Sequence, residues 1–289
     1  MTTSTPRLDR SPPAFRADLA RSIRLFRAFG KEQTDPDLFY GTLADDTVAQ
    51  LRGYAERVGL GLAGATVLDV GGGMGYFSDA LRASGARAVC VDVDAGEMAG
   101  RGDMPPGAVL GSALALPFAT GCVDICFSSN VLEHVSEPEQ MADEMVRVTR
   151  PGGLVYLSFT NWLSPHGGHE TGPWWHYLGG HYAARRYERR LGRRPKNRYG
   201  DTLFAVSVAQ VLRWARSRSD AEILTATPRY HPRWASWVVA VPGLREVMTW
   251  NLLLILRKRA GTSARRGRLV RTVANQTAAT ASMPRTCGA

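Results

Sequence analysis

The apolar positions of this chain change their period in a regular way, and that change lays out most of its elements. Thr66 to Val70 is a β-branched and apolar run interrupted only by Asp69, the pattern of a strand buried on both faces. Five residues, Gly71 to Gly75, carry four glycines, and Tyr76 to Ala83 then shows helical spacing. Ala88 to Val93 reads as a second strand. Further on, Val208, Val211, Leu212 and Ala215 predict a helix over Ser207 to Ser217, and Ile223 to Pro228 and Asn251 to Leu256 predict two strands. Upstream, Leu19, Ile23, Leu25, Phe26 and Phe29 sit among arginines as on an amphipathic helix, and Asp45 to Val58 predicts another helix. Between Thr160 and Leu203 the periodicity fades, as it does in lids and binding loops.

Composition narrows the class. A chain of 289 residues with 44% hydrophobic content supports one domain with a full core plus extensions. The division expected is an N-terminal extension over 1–35 bearing the amphipathic helix, a domain over 36–259 with a substrate-side insertion at 160–203, and a basic tail at 260–289. No apolar run reaches transmembrane length and no leader pattern opens the chain, so a cytoplasmic protein is expected. Cys90, Cys122 and Cys126 fall on or beside buried strands, where cysteine serves as a small apolar residue. The net charge is +10, and half of it comes from five arginines in the Ala260–Ala289 tail, whose composition is that of a disordered segment. The remainder is mildly basic, which disfavours nucleic acid as the partner.

Chemistry enters at Val67-Leu68-Asp69-Val70-Gly71-Gly72-Gly73-Met74-Gly75. Strand, glycine loop and helix N-terminus make a nucleotide-type site. No lysine follows Gly75, which removes the nucleoside triphosphate reading. Asp69 repels a pyrophosphate but suits a ligand with ammonium and sulfonium groups, namely S-adenosylmethionine. About twenty residues beyond the first glycine, Asp92 stands where ribose hydroxyls are taken; Asp94 is its rival, with capping of the next segment as its other reading.

The following blocks make a family resemblance specific. They are Gly111-Ser112-Ala113-Leu114-Ala115-Leu116-Pro117-Phe118, the Leu132-Glu133-His134 segment, and Arg147-Val148-Thr149-Arg150-Pro151-Gly152-Gly153. With the Asp-x-Gly-x-Gly-x-Gly loop, residues 65–158 resemble the cofactor half of class I S-adenosylmethionine-dependent methyltransferases, in the small-molecule group that includes the ubiquinone and menaquinone enzymes. Over residues 20 to 257 the chain looks similar to a little-characterised actinobacterial group. The resemblance implies an α/β fold: a doubly wound, seven-stranded Rossmann-like sheet, mostly parallel, with an antiparallel last strand. It also implies that Asp69, Gly71, Gly73 and Gly75 surround the methionine part of S-adenosyl-L-methionine, that Asp92 takes the ribose, and that Ser112 and Ala113 lie against adenine. Ser112 departs from the aspartate usual in that family, so its contact to the adenine amine is the weaker one. His134 falls close to the reaction centre by the same likeness, with a purely structural role as the alternative; Asn130 either orients substrate or caps its turn.

The acceptor has to be read from the second half. The 160–203 segment holds four of the six histidines, and His166 or His169 with Glu170 beside it is a candidate general base. Metal is the weaker reading of these histidines, because their spacing fits no fixed motif, and no metal ligand is assigned. Arg185 to Arg198 carries seven arginines and Lys196, read as a solvated face, as a site for an anionic small molecule or lipid head group, or as a nucleic-acid patch. The tryptophan-bearing connection from Arg233 to Thr249 is expected to pack as a helix over the sheet, or else to lie at a membrane interface. The expected reaction is in-line transfer of a methyl group to oxygen, nitrogen or carbon of a small, partly apolar acceptor such as a lipid, quinone, glycan or natural product. An RNA methyltransferase and a non-catalytic binder of the donor are the alternatives.

Overall fold

The computed structural model describes residues 15–31 and 34–260. The basic tail and Cys287 therefore lie outside the described residues, apart from Ala260. Seven strands form one sheet: β1 (Thr66–Val70), β2 (Arg87–Asp92), β3 (Val109–Leu110), β4 (Val123–Ser129), β5 (Thr149–Thr160), β6 (Ala221–Pro228) and β7 (Asn251–Lys258). Their order is β3-β2-β1-β4-β5-β7-β6, and β7 runs antiparallel to both β5 and β6 while the pairs among β1 to β5 are parallel. The strand order reverses between β1 and β4, so a crevice opens beyond their carboxyl ends, the place where open α/β sheets bind ligands.

Two apolar layers sandwich the sheet, and alternate residues of each strand feed them. Leu68 and Val70 of β1, with Val155, Leu157 and Phe159 of β5, face Met141, Met145, Val208 and Leu212 on α5 (Pro138–Val148) and α7 (Val208–Ser217). Val67, Leu154 and Tyr156 face the other way. They meet Leu25 on α1 (Leu19–Phe29), Leu43 and Leu51 on α2 (Pro36–Arg57), and Phe77 and Leu81 on α3 (Tyr76–Ala83). Each fully buried side chain of this kind contributes roughly 1.5–3 kcal/mol of transfer free energy.

The elements begin where local chemistry says they should. Asp35 accepts the Leu38 N–H and Pro36 takes the first helical position, so α2 starts well before the Asp45 read from periodicity. Ser207 accepts the Gln210 N–H at the start of α7. The Arg233–Thr249 connection is not one helix. It is a 3-10 run, Arg233–Ala240, followed by the short α8, Leu244–Met248. Pro242 and Gly243 separate them, and Gly243 takes a positive φ of 80°. The Glu246 carboxylate then caps α7 by accepting from Val208 and Ala209 N–H at 2.8 Å. Cys122 also departs from expectation: it lies exposed in the turn before β4, whereas Cys90 and Cys126 are buried. Among the described residues, no helix is long and apolar enough to cross a membrane.

Candidate active site

The glycine loop leaves β1 at the crevice. Gly71 has φ +72°, and a Cβ there would lie 2.4 Å from Val131 Cγ2, so only glycine fits beneath the loop that follows β4. Gly73 also has a positive φ, +48°, but its side is open: the nearest atom to a Cβ would be Glu97 Cγ at 3.6 Å. The first position is closed by the protein itself, while the second leaves room for a ligand to reach the backbone.

Asp69 sits below this loop, 1% exposed, and accepts from Ser78 Oγ at 2.7 Å. Burial pushes its carboxyl up to about 7 from an ordinary 3.8; the Ser78 hydrogen bond opposes the rise and the charge of Asp92 adds to it. Asp92, at the end of β2, accepts the Gly73 N–H at 3.0 Å through Oδ2 and the Asp94 N–H at 3.0 Å through Oδ1. Asp94 caps α4 (Ala95–Met98) by accepting from Gly96 and Glu97 N–H, which is its capping alternative realised. Ser112 follows β3 and accepts the Leu114 N–H at 3.2 Å, and Ala113 is half-buried beside it. A cavity of about 310 Å³ adjoins the loop, lined by Met74, Asp94, Gly96, Glu97, Gly100 and Lys196. Lys196, from the 160–203 segment, reaches across it to Glu97 at 3.3 Å.

Beyond β4 the chain turns through Asn130, whose φ of +58° is a left-handed value that asparagine tolerates. Its Oδ1 accepts from Asn251 Nδ2 at 2.7 Å, tying the end of β4 to the start of β7. His134 closes the next 3-10 turn, Leu132–His134, with Nδ1 2.7 Å from the Thr202 carbonyl oxygen. His169 packs edge-to-face on it with centroids 5.0 Å apart, so the structure joins the two histidines that the sequence named separately. Burial holds His169 below its ordinary pKa. Glu170 does not serve as its hydrogen-bond partner. Both Glu170 oxygens, at 2.7 Å, accept from the Asn197 backbone and side-chain amides, which anchors the loop. His166 stands apart from the pair, stacked on Phe29 and edge-on to Trp250.

Four features here were not among the site residues expected from sequence. Arg229, fully buried, donates to Ser129 Oγ and Ser158 Oγ at 2.8 Å and to Thr47 Oγ1 at 2.7 Å. It ties β4, β5 and α2 together directly under the crevice floor. A buried ion pair, Arg21 to Asp46 at 2.6 Å, fixes α1 beside it, and Arg21 also donates to the Arg229 carbonyl. Phe26, Phe29, Tyr230, His231 and Trp250 form a wall of rings 4.9–6.5 Å apart near Asn130. Glu133, 1% exposed, accepts the Thr160 N–H at 2.9 Å. The Pro228-Arg229-Tyr230-His231 segment carries two of these features, and a charged residue inside an otherwise apolar and aromatic run was the available signal.

Known proteins resemble this chain. A methyltransferase-domain model matches residues 68–157. An uncharacterized methyltransferase of Mycolicibacterium gilvum is 55% identical over 249 residues, covering 84% of this chain and 96% of that protein. One from Mycobacteroides abscessus is 52% identical over 255 residues, covering 85% of this chain and 97% of its own length. Among solved structures, an S-adenosylmethionine dependent methyltransferase from Mesorhizobium loti aligns with a TM-score of 0.49 at 19% identity, over 72% of this chain and 97% of that one. At more than half identity over nearly the whole length of these relatives, the chain belongs to the methyltransferase family.

Proposed function

We propose that this enzyme transfers the methyl group of S-adenosylmethionine to a small, partly apolar acceptor. The observation that carries the donor is the buried Asp69 carboxyl, pushed up to about 7, with Asp92 repelling it across a glycine loop. A cationic ligand relieves that repulsion and an anionic one increases it, so the donor set fits ammonium and sulfonium groups. The open side of Gly73 gives the ligand its approach. When bound, the donor supplies an electrophilic methyl on a sulfonium. What this chain supplies is position: Gly73 and Asp92 at one end of the crevice, Asn130, His134 and His169 at the other. Asp92 accepts one backbone N–H on each oxygen and keeps lone pairs for ribose hydroxyls.

The ring wall beside Asn130 supports an acceptor with apolar or planar character. The 233–249 segment supports delivery from a lipid surface, since Trp234 and Trp237 are 72% and 51% exposed while Ala235, Val238 and Val239 anchor the segment inward. The test is incubation with methyl-labelled donor and a total cell extract. Label in the organic phase is the expected result. Label removed by nuclease would replace this acceptor class with RNA, and donor binding without any labelled product would make the protein a binder.

A further inference from the structure

The Leu132–His134 turn and the loop that carries His169 bring three donor groups together. A carboxylate oxygen of Glu133 and one ring nitrogen each of His134 and His169 lie within 4.8 Å of one another. Hydrogen bonding says which atoms are free. Glu133 Oε1 accepts the Thr160 N–H, whereas Oε2 is buried with no partner. An orphaned buried acceptor costs about 1–3 kcal/mol, and more when charged. The Arg229 charge attracts this carboxylate but gives Oε2 no hydrogen bond, because its terminal nitrogens donate to Ser129, Ser158 and Thr47.

The Thr202 carbonyl can only accept, so His134 Nδ1 carries the proton and Nε2 presents a lone pair. His169 Nδ1 faces the Gly167 carbonyl at 3.4 Å, with the same polarity. Imidazoles fixed through one nitrogen by a carbonyl, with the other nitrogen free, are how metal-binding histidines are held. We propose that Glu133, His134 and His169 form a three-ligand site for a divalent transition-metal cation of the zinc or iron class.

Two imidazoles and one carboxylate suit these borderline cations, whereas magnesium and calcium prefer oxygen throughout. Bonds of roughly 2.0–2.2 Å place tetrahedral ligand atoms about 3.4 Å apart. One oxygen or ring nitrogen from each residue already lies within 4.8 Å of the others, so the three reach a common ion by closing about 1.4 Å or by turning a ring or carboxylate to present its free atom. Three protein ligands leave a coordination position open. Its place in the reaction, which rests on the function proposed above, is to hold and acidify an acceptor oxygen.

The test uses full-length, metal-stripped protein titrated with Co²⁺ alone and followed by visible ligand-field absorption. Three variants keep the local structure while removing a ligand. His134→Asn retains an amide donor toward the Thr202 carbonyl. His169→Asn tolerates the left-handed backbone, φ +48°. Glu133→Gln retains an acceptor for the Thr160 N–H. The expected result is a saturable one-equivalent Co²⁺ spectrum in the wild type. Each variant should weaken it by more than the roughly 10–100-fold that loss of an outer partner costs, with wild-type far-UV circular dichroism. A folded wild type with no saturable Co²⁺ band overturns the site, as does wild-type Co²⁺ affinity in all three variants. The readout needs neither donor nor acceptor, so calorimetry with S-adenosylmethionine judges the methyltransferase reading separately.

Discussion

Asp69→Asn should make the ligand-free protein more stable at neutral and alkaline pH while abolishing donor binding. In the fold, burial holds this carboxyl at about 7 against an ordinary 3.8. That gap corresponds to about 4 kcal/mol between the two protonation states. The sign follows from which state holds the proton. Near pH 3.8 and below, the group is neutral in both folded and unfolded chains and costs nothing. As pH rises the unfolded chain ionises first, stability falls, and above about 7 the folded chain bears the whole penalty of a buried anion. An asparagine keeps an acceptor for Ser78 Oγ and removes the charge; its amide makes a poorer neighbour for the Ser78 backbone N–H, which returns about 1 kcal/mol. The net gain at pH 8 is therefore about 3 kcal/mol, shrinking toward zero or below at pH 4. Urea denaturation of both proteins across that range measures it, and the difference between them cancels the contribution of other acids. A difference that stays constant with pH would refute the reasoning.

Donor affinity itself should rise with pH, by up to about tenfold per unit, and level off above about 7, because a cationic ligand favours ionised Asp69. Calorimetry in buffers of different ionisation enthalpy should show proton release below that pH; a flat profile excludes the linkage. Gly71→Ala should cost about 3 kcal/mol or more, since its methyl meets Val131 at 2.4 Å, whereas Gly73→Ala should cost only about 1–2 kcal/mol of left-handed strain yet still lose the donor. Chemical denaturation ranks the two, and equal losses of stability would contradict the open side of Gly73. Arg229→Met should cost roughly 3–5 kcal/mol, because it strips the donor from three buried hydroxyls and unbalances Asp46 and Glu133. A thermal melt within a degree or two of wild type would show that the arginine is dispensable to the fold.

The donor half of this molecule is local, and so it was legible. Strand, loop, helix and capping acid follow one another between Thr66 and Met98, and the hydrogen bonds that the loop glycines donate go to Val91, Gly72 and Asp92 inside that window. β1 and α3 begin and end at the residues their periodicity marks. Ser112 keeps an oxygen at its position, though in the structure it is spent on the Leu114 N–H. The acceptor half depends on distant pairings that no spacing announces. Arg229 meets Thr47 across 182 positions and Ser129 across 100. His134 and His169 join only because the chain folds back between β5 and α6 (Gly180–Leu191). Adjacency misled in the case of Glu170, which neighbours His169 in sequence but bonds to Asn197 instead. At Arg233–Thr249 the apolar content was read correctly and the proline and glycine were underweighted.

β7 enters the sheet between β5 and β6, and Leu252 to Leu256 are fully buried. During synthesis this strand is the last described element to leave the ribosome. Until it does, β5 presents a bare edge and β6 has no neighbour to pair with, although the glycine loop and its acids have long since emerged. The growing chain therefore carries its donor-side sequence complete while the sheet's longest pairings are still missing, and an exposed edge of that kind is a target for chaperones and a seed for aggregation. Closure of the crevice floor therefore waits for Asn251, whose side chain both opens β7 and fastens Asn130.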